Sequence, residues 1–209
     1  MKKLVHGAGR NDAGYRVHIT STVDGRQVSV WTCPFYGAWK DMMRRCYSAR
    51  FHDRYPTYAD CSVVPEWLSF SVFREWMSTQ QWRGMHLDKD LLIPGNKVYG
   101  PDRCVFIQPR INTFLTDNRA ARGKHPIGVT ASSASRSFAA KCNNPFTGEC
   151  EFLGCFRDQA SATNAWKRRK HQHACAYADL QHDARVAAAL RLRYADHSDD
   201  HAEVLRITA

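Results

Sequence analysis

Three side chains capable of acid–base or metal chemistry, His86, Asp88 and Asp90, occupy alternate positions in the run HLDKDLL. Alternate residues of an extended strand share a face, so these three are expected to point one way and Lys89 the other, although twist or a bulge near a strand end relaxes that rule. Paired carboxylate oxygens suit a hard divalent cation, Mg2+ or Mn2+, and the amide oxygen of Asn112 can join Asp88 and Asp90 as a further ligand. Such a cation polarises a phosphate, and hydrolysis then also needs a base for water. His86 is the nearby imidazole, the side-chain type that exchanges protons near neutral pH. The bland alternative is a solvated acidic turn, with Asn96 left-handed and Asn112 closing local hydrogen bonds.

The stretch from His86 to Leu115 reads as the unit that positions these groups. A short strand ends at the acids, a Gly95–Asn96 turn follows, Cys104 to Ile107 form a second apolar run, and a proline-initiated helix carries Asn112. Strand, loop, strand and helix make one compact supersecondary unit.

The 209 residues have 44% hydrophobic and 11% aromatic content, which argues for one large or two small folded domains rather than a disordered chain. A net charge of +10 points to a polyanionic partner, nucleic acid ahead of an anionic membrane surface. No apolar run approaches the roughly 20 residues of a membrane-spanning helix. The start, MKKLVHGAGRND, lacks the apolar core of a secretory signal, so a cytoplasmic protein is expected. The eight cysteines are scattered without a C-x-x-C pair and read as reduced, mostly buried thiols. A zinc site from Cys150, Cys155 and the His171, His173, Cys175 cluster is disfavoured, because on a helix only His171 and Cys175 converge.

Residues 1–14 are expected to be a loosely ordered lead-in. Tyr15 to Trp31 reads as a hairpin, with Val17, Ile19, Val23, Val28 and Val30 as β-formers and Asp24–Gly25 as the turn. After Pro34, the stripe Tyr36, Trp39, Met43, Cys46 and Tyr47 indicates a helix with a buried face. Lys40, Arg44 and Arg45 fall outside it, where the arginines either flank the site or serve the surface. Ser48 to Cys61 reads as a long ordered loop, and Pro65 to Met77 as a second helix. Beyond the polar, basic run DNRAARGK the pattern changes. Strands are expected at Ile127–Ala131, Ser137–Cys142 and Cys150–Phe156, then a helix capped by Asp158 to about Ala178 and another over about His182–Tyr194.

The segments YGAWKDMMRRCYS, YPTYADCSVVPEWLSFSVFREWM and LDKDLLIPGNKVYGPDRCVFIQPRIN resemble the phage-type His-Asn-His (HNH) homing endonuclease family. The later PIGVTASSASRSFAAKCNNPFTGECEFLGCFRDQASATNAWKRRKHQHACAYAD is similar to the Apetala-two-like DNA-binding module. The resemblance implies an α+β fold: an N-terminal hairpin and helices leading into a ββα-metal nuclease unit, then a three-stranded antiparallel sheet packed on a helix. It divides the chain into a nuclease domain at 1–118, a basic linker at 119–124, the DNA-binding domain at 125–195 and a tail at 196–209. The implied activity is metal-dependent, site-selective cleavage of double-stranded DNA, in an infected bacterial cell if the chain is of phage origin.

Asp88 then falls at the family's metal-binding aspartate, Asn112 at its second ligand and Asn96 at the asparagine that orders the loop. Lys89 occupies the place of the general-base histidine. A lysine is a poor base but a good phosphate contact. Either His86 substitutes as base, water is activated without one, or the chain is a weak or inactive nuclease that keeps the fold as a DNA-binding scaffold. Positive charge for phosphate contact lies in Arg119, Arg122 and Lys124 of the linker, in Arg136 and Lys141 on the second small strand, and in the helical run Lys167, Arg168, Arg169 and Lys170. Arg136 and Lys141 are the first choices for the major groove, since the sheet of such modules approaches it. The helical run reads equally as a solvated outer face.

Overall fold

The computed structural model describes residues 3–116, 124–132 and 136–195. The fold is mixed α+β with small sheets, and it divides into two compact units, Met1–Gln108 and Pro109–Ala209. The boundary expected from the sequence lies at 119–124. Division by packing falls after Gln108, so the helix bearing Asn112 is grouped with the second unit. Among the described residues, no helix is long and apolar enough to cross a membrane.

In the first unit, strands β1 (His18–Val23) and β2 (Arg26–Thr32) form the expected hairpin. Asp24 and Gly25 both take positive φ, +50° and +74°, the geometry of a tight turn whose twist matches the flanking strands. The ribbon is solvent-exposed along nearly its whole length and is rooted where the Cys33 N–H donates to the Val17 carbonyl. Helix α1 (Pro34–Tyr47) buries Trp39, Met42, Met43 and Cys46 against helix α3 (Phe70–Ser78), which contributes Phe70, Phe73 and Met77. The buried indole N–H of Trp39 is satisfied by the Trp67 carbonyl at 2.7 Å.

Three sequence expectations need correction here. Residues 3–14 are not loose. Gly9 lies so close to Trp39 that a Cβ would come within 2.8 Å of its ring, and Arg10 forms a parallel bridge with Ser69. Asp12 receives the Ser71 N–H at 2.8 Å and its hydroxyl at 2.7 Å, capping the first turn of α3. This inserted segment also breaks the expected Pro65–Met77 helix. Arg10 donates to the Leu68 carbonyl and accepts from the Phe70 N–H, holding Ser69 extended between a 3-10 turn, Pro65–Leu68, and α3. Ser48–Cys61, expected as loop, contains helix α2 (Ala49–Arg54), which is free of glycine and proline and is stapled by Phe51 on Tyr55 at 4.7 Å.

A two-residue parallel pair joins β3 (Ser62–Val63) to β5 (Val98–Tyr99), and β4 (His86–Asp88) runs antiparallel to β6 (Val105–Ile107). The proline-initiated helix α4 (Pro109–Leu115) follows β6 after one residue.

In the second unit β7 (Val129–Ser132), β8 (Ser137–Asn143) and β9 (Cys150–Phe156) form an antiparallel sheet in that order, close to the expected spans. Helix α5 (Gln159–Asp179) covers one face, Ala162 and Ala165 packing with Val129, Ala140 and Phe156. Asp158 caps α5 by accepting the Ser161 N–H at 2.8 Å, and Asp183 caps helix α6 (Ala184–Leu192). Phe114 of α4 meets Tyr177 of α5 edge-on.

Gly128, just before β7, has φ +75°, and a Cβ there would lie 2.0 Å from Trp166 and 2.5 Å from the Lys141 carbonyl oxygen. Gly128→Ala is therefore expected to destabilise the second unit by on the order of 3 kcal/mol, from left-handed strain plus displacement of the indole. Chemical denaturation followed by Trp fluorescence checks it; a loss below about 1 kcal/mol would contradict the close approach.

Candidate functional site

The loop between β4 and β6 is closed by a reciprocal clasp. Lys89 Nζ donates to the Asn96 backbone carbonyl at 2.9 Å, and Asn96 Nδ2 donates to the Lys89 carbonyl at 2.6 Å. The Asn96 amide also donates to the Val98 carbonyl at 2.8 Å and accepts the Val98 N–H at 3.1 Å, so both of its polar atoms are engaged. The left-handed residue of the turn is Gly95, φ +78°, and not Asn96. Glycine takes that conformation without a Cβ penalty, which leaves Asn96 to aim its amide into the loop.

Lys89 itself is 7% exposed. Its ammonium meets Asp90 Oδ2 at 3.0 Å and lies 5.8 Å from the centre of the Tyr58 ring. Burial works against this charge, but the hydrogen bond and charge of Asp90 outweigh it and raise the lysine pKa above its ordinary value. Lys89 is thus a charged internal tie. Its pairing with Asp90 and the Asn96 carbonyl engages the ammonium within the loop.

Asp88 ends β4. Asp88 Oδ1 accepts the N–H groups of Asp90 and Leu91 at 3.0 and 2.7 Å, turning the chain out of the strand. Burial keeps alternating through this bend, with His86 exposed, Leu87 buried, Asp88 half-buried, Lys89 buried and Asp90 exposed. Asp90 faces the Lys89 ammonium. Burial first, and then the Asp90 carboxylate, raise the pKa of Asp88, two backbone N–H groups notwithstanding.

A half-buried carboxylate whose charge is opposed by burial and by a neighbouring acid is one that a hard cation would relieve, so Asp88 fits such an ion. Asp90 fits poorly, because the ammonium already held against it would repel a cation. Asn112 lies half-buried on α4, in the second unit. Among the described residues no three of His, Cys, Asp and Glu gather as a metal-binding group.

Arg45 supports β4 from α1, donating to the Leu87 carbonyl at 3.4 Å and to Asp41 at 3.3 Å. The sequence left it either flanking the site or serving the surface.

The sheet of the second unit exposes Lys141, opposite the 62%-exposed Phe152, on the face away from α5. Arg136 is exposed at the entry to β8 with φ +48°, and Lys124 is exposed. Arg119 and Arg122 lie outside the described residues. The helical run divides in two. Arg169 grips Glu151 with two 2.6 Å hydrogen bonds, and Lys170 Nζ sits 3.7 Å from the centre of the Phe114 ring, where burial lowers its pKa to about 8. Lys167 and Arg168, both partly exposed, are the members left for an external anion.

Sequence reading missed the Glu151 hub. Arg169 above all, with Asn144 and His173, holds its carboxyl near a pKa of about 2 and ties β9 to α5. The only sequence signal is a lone acid in an apolar strand. The five cysteines 33, 46, 61, 104 and 142 are buried. His171 Nε2 and Cys175 Sγ converge to 3.5 Å, while His173 turns to Glu151.

Comparison with protein-family models, curated proteins and solved structures found no match.

Asn96→Ala removes three hydrogen bonds from the loop and leaves the Lys89 carbonyl without the amide. A loss of about 2–4 kcal/mol in the first unit is expected by urea denaturation. A loss under about 0.5 kcal/mol would mean that the clasp does not hold the loop.

Proposed function

We propose that the chain is a metal-dependent, site-selective DNA endonuclease of the His-Asn-His type. The observation that carries this reading is the end of β4: a half-buried Asp88 carboxylate two residues from the exposed His86, at the start of a loop tied by Asn96. Asp88 would hold Mg2+ or Mn2+. When bound, the cation would supply Lewis acidity at the scissile phosphate.

His86 is the side chain placed to accept a proton from water, since Lys89 is protonated and engaged within the fold. Asp90 neutralises Lys89 rather than serving the cation. Lys124, Arg136, Lys141, Lys167 and Arg168 would contact double-stranded DNA, through phosphates on the helix and base edges on the sheet.

The second reading, a non-catalytic DNA-binding protein that keeps the ββα frame as scaffold, is favoured by one observation. The position of the family's base holds a buried, paired lysine.

A library of supercoiled plasmids carrying fragments of the encoding genome separates the two. With Mg2+ or Mn2+ the wild type should nick or linearise particular members, EDTA and Asp88→Ala should abolish this, and His86→Ala should slow it by about 100-fold or more. A library left intact by wild-type protein would favour the scaffold, and undiminished cutting by Asp88→Ala would overturn the site.

A further inference from the structure

The residues proposed above for DNA contact all belong to the second unit, yet the first unit carries an arginine-lined cleft with an aromatic floor. The end of α1 and helix α2 enclose an open cleft of about 400 Å³ lined by Arg44, Ser48, Arg50, Phe51, Arg54 and Tyr55. Three of the six are arginines and none is acidic.

The floor is rigid. Phe51 lies tilted against Tyr55 at 4.7 Å and meets Tyr58 edge-on at 5.5 Å, and the His52 ring nitrogen Nε2 donates to the Arg45 carbonyl at 2.8 Å, tying α2 to the end of α1. Two of the guanidinium groups are held by these rings, Arg44 at 5.0 Å from the Phe51 centre and Arg54 at 5.6 Å from that of Tyr55. A ring face holds a guanidinium through its own flat face, which leaves the in-plane N–H fork available to an anion. Arg50 and Arg54, four residues apart on one helix, are neighbours on its surface. Two acids lie near. Asp41 takes one Arg44 nitrogen at 2.7 Å, and Asp53 is exposed on α2. Arg50 and Arg54 therefore carry most of the site.

We propose that this cleft is a phosphate-binding anchor for the DNA backbone, by which the first unit holds its substrate independently of the second. Guanidinium groups over aromatic rings, in a recess whose lining includes no acid and which is large enough for a sugar-phosphate unit, match a phosphodiester better than an acidic peptide. The proposal rests on the DNA-cleaving or DNA-binding reading above and adds to it a location for the backbone.

The test uses the full chain and a short fluorescein-labelled duplex of mixed sequence, with affinity measured by anisotropy across a salt series. The double substitution Arg50→Ala/Arg54→Ala should weaken binding about 10-fold or more and make the slope of log K against log salt shallower by about 2, the expectation for two lost phosphate contacts. Arg50→Lys/Arg54→Lys should keep most of the slope, and a thermal melt should show both variants folded. Wild-type binding with a slope unchanged in a folded alanine variant would overturn the anchor alone. Absence of wild-type DNA binding would overturn the reading beneath it as well. A labelled polyglutamate peptide that binds in an Arg50- and Arg54-dependent way, while DNA binding is indifferent to both, would assign the cleft to an acidic protein instead.

Discussion

Lys89 and Asn96 hold the loop between β4 and β6 by exchanging hydrogen bonds, the side chain of each reaching the backbone carbonyl of the other. Much of the first unit's local geometry follows from this exchange. The lysine charge is kept inside the fold because Asp90 lies beside it and Tyr58 faces it. The loop is kept in register because Asn96 also brackets Val98 at the start of β5, the strand that pairs with β3. A histidine at position 89 would lack the reach and the permanent charge of the ammonium, so the residue present here suits structure rather than proton transfer.

That constraint sorts the polar groups at the end of β4. Lys89 and Asp90 neutralise each other, and Asn96 is engaged on both of its polar atoms. Asp88 remains, raised in pKa by burial and by its acidic neighbour, with His86 on the exposed side of the same strand. A carboxylate and an imidazole at one strand end offer a cation ligand and a base, two of the groups that metal-assisted hydrolysis uses. The rest of the first unit supports it from below, Arg45 reaching from α1 to the Leu87 carbonyl.

The elements that the sequence reveals well are those whose signal is local. The hairpin has β-formers around Asp24–Gly25, α1 has its apolar stripe, and the three strands and the Asp158 cap of the second unit have turn residues and spacing that leave few alternatives. What escapes is non-local. Residues 3–14 look polar and loose in sequence, yet Arg10 and Asp12 bind Ser69 and Ser71, some sixty residues on, and in doing so split a helix that periodicity alone would continue. Within the site, alternation gives the exposed and buried sides from His86 to Asp90, but not the Lys89–Asp90 pair or the bend closed by the Asp88 carboxylate. Net charge likewise misleads where arginine and lysine are internal. In the run at Lys167–Lys170, Arg169 serves Glu151 and Lys170 an aromatic face.

The central claim is that Asp88 holds a hard cation while Lys89 and Asp90 serve each other. Titration calorimetry of the full chain with Mn2+ addresses this without requiring a DNA target. The account expects one saturable site in the wild type, lost in Asp88→Asn and kept in Asp90→Asn, with both variants folded by circular dichroism. A site that survives Asp88→Asn, or one that depends on Asp90 instead, would contradict it.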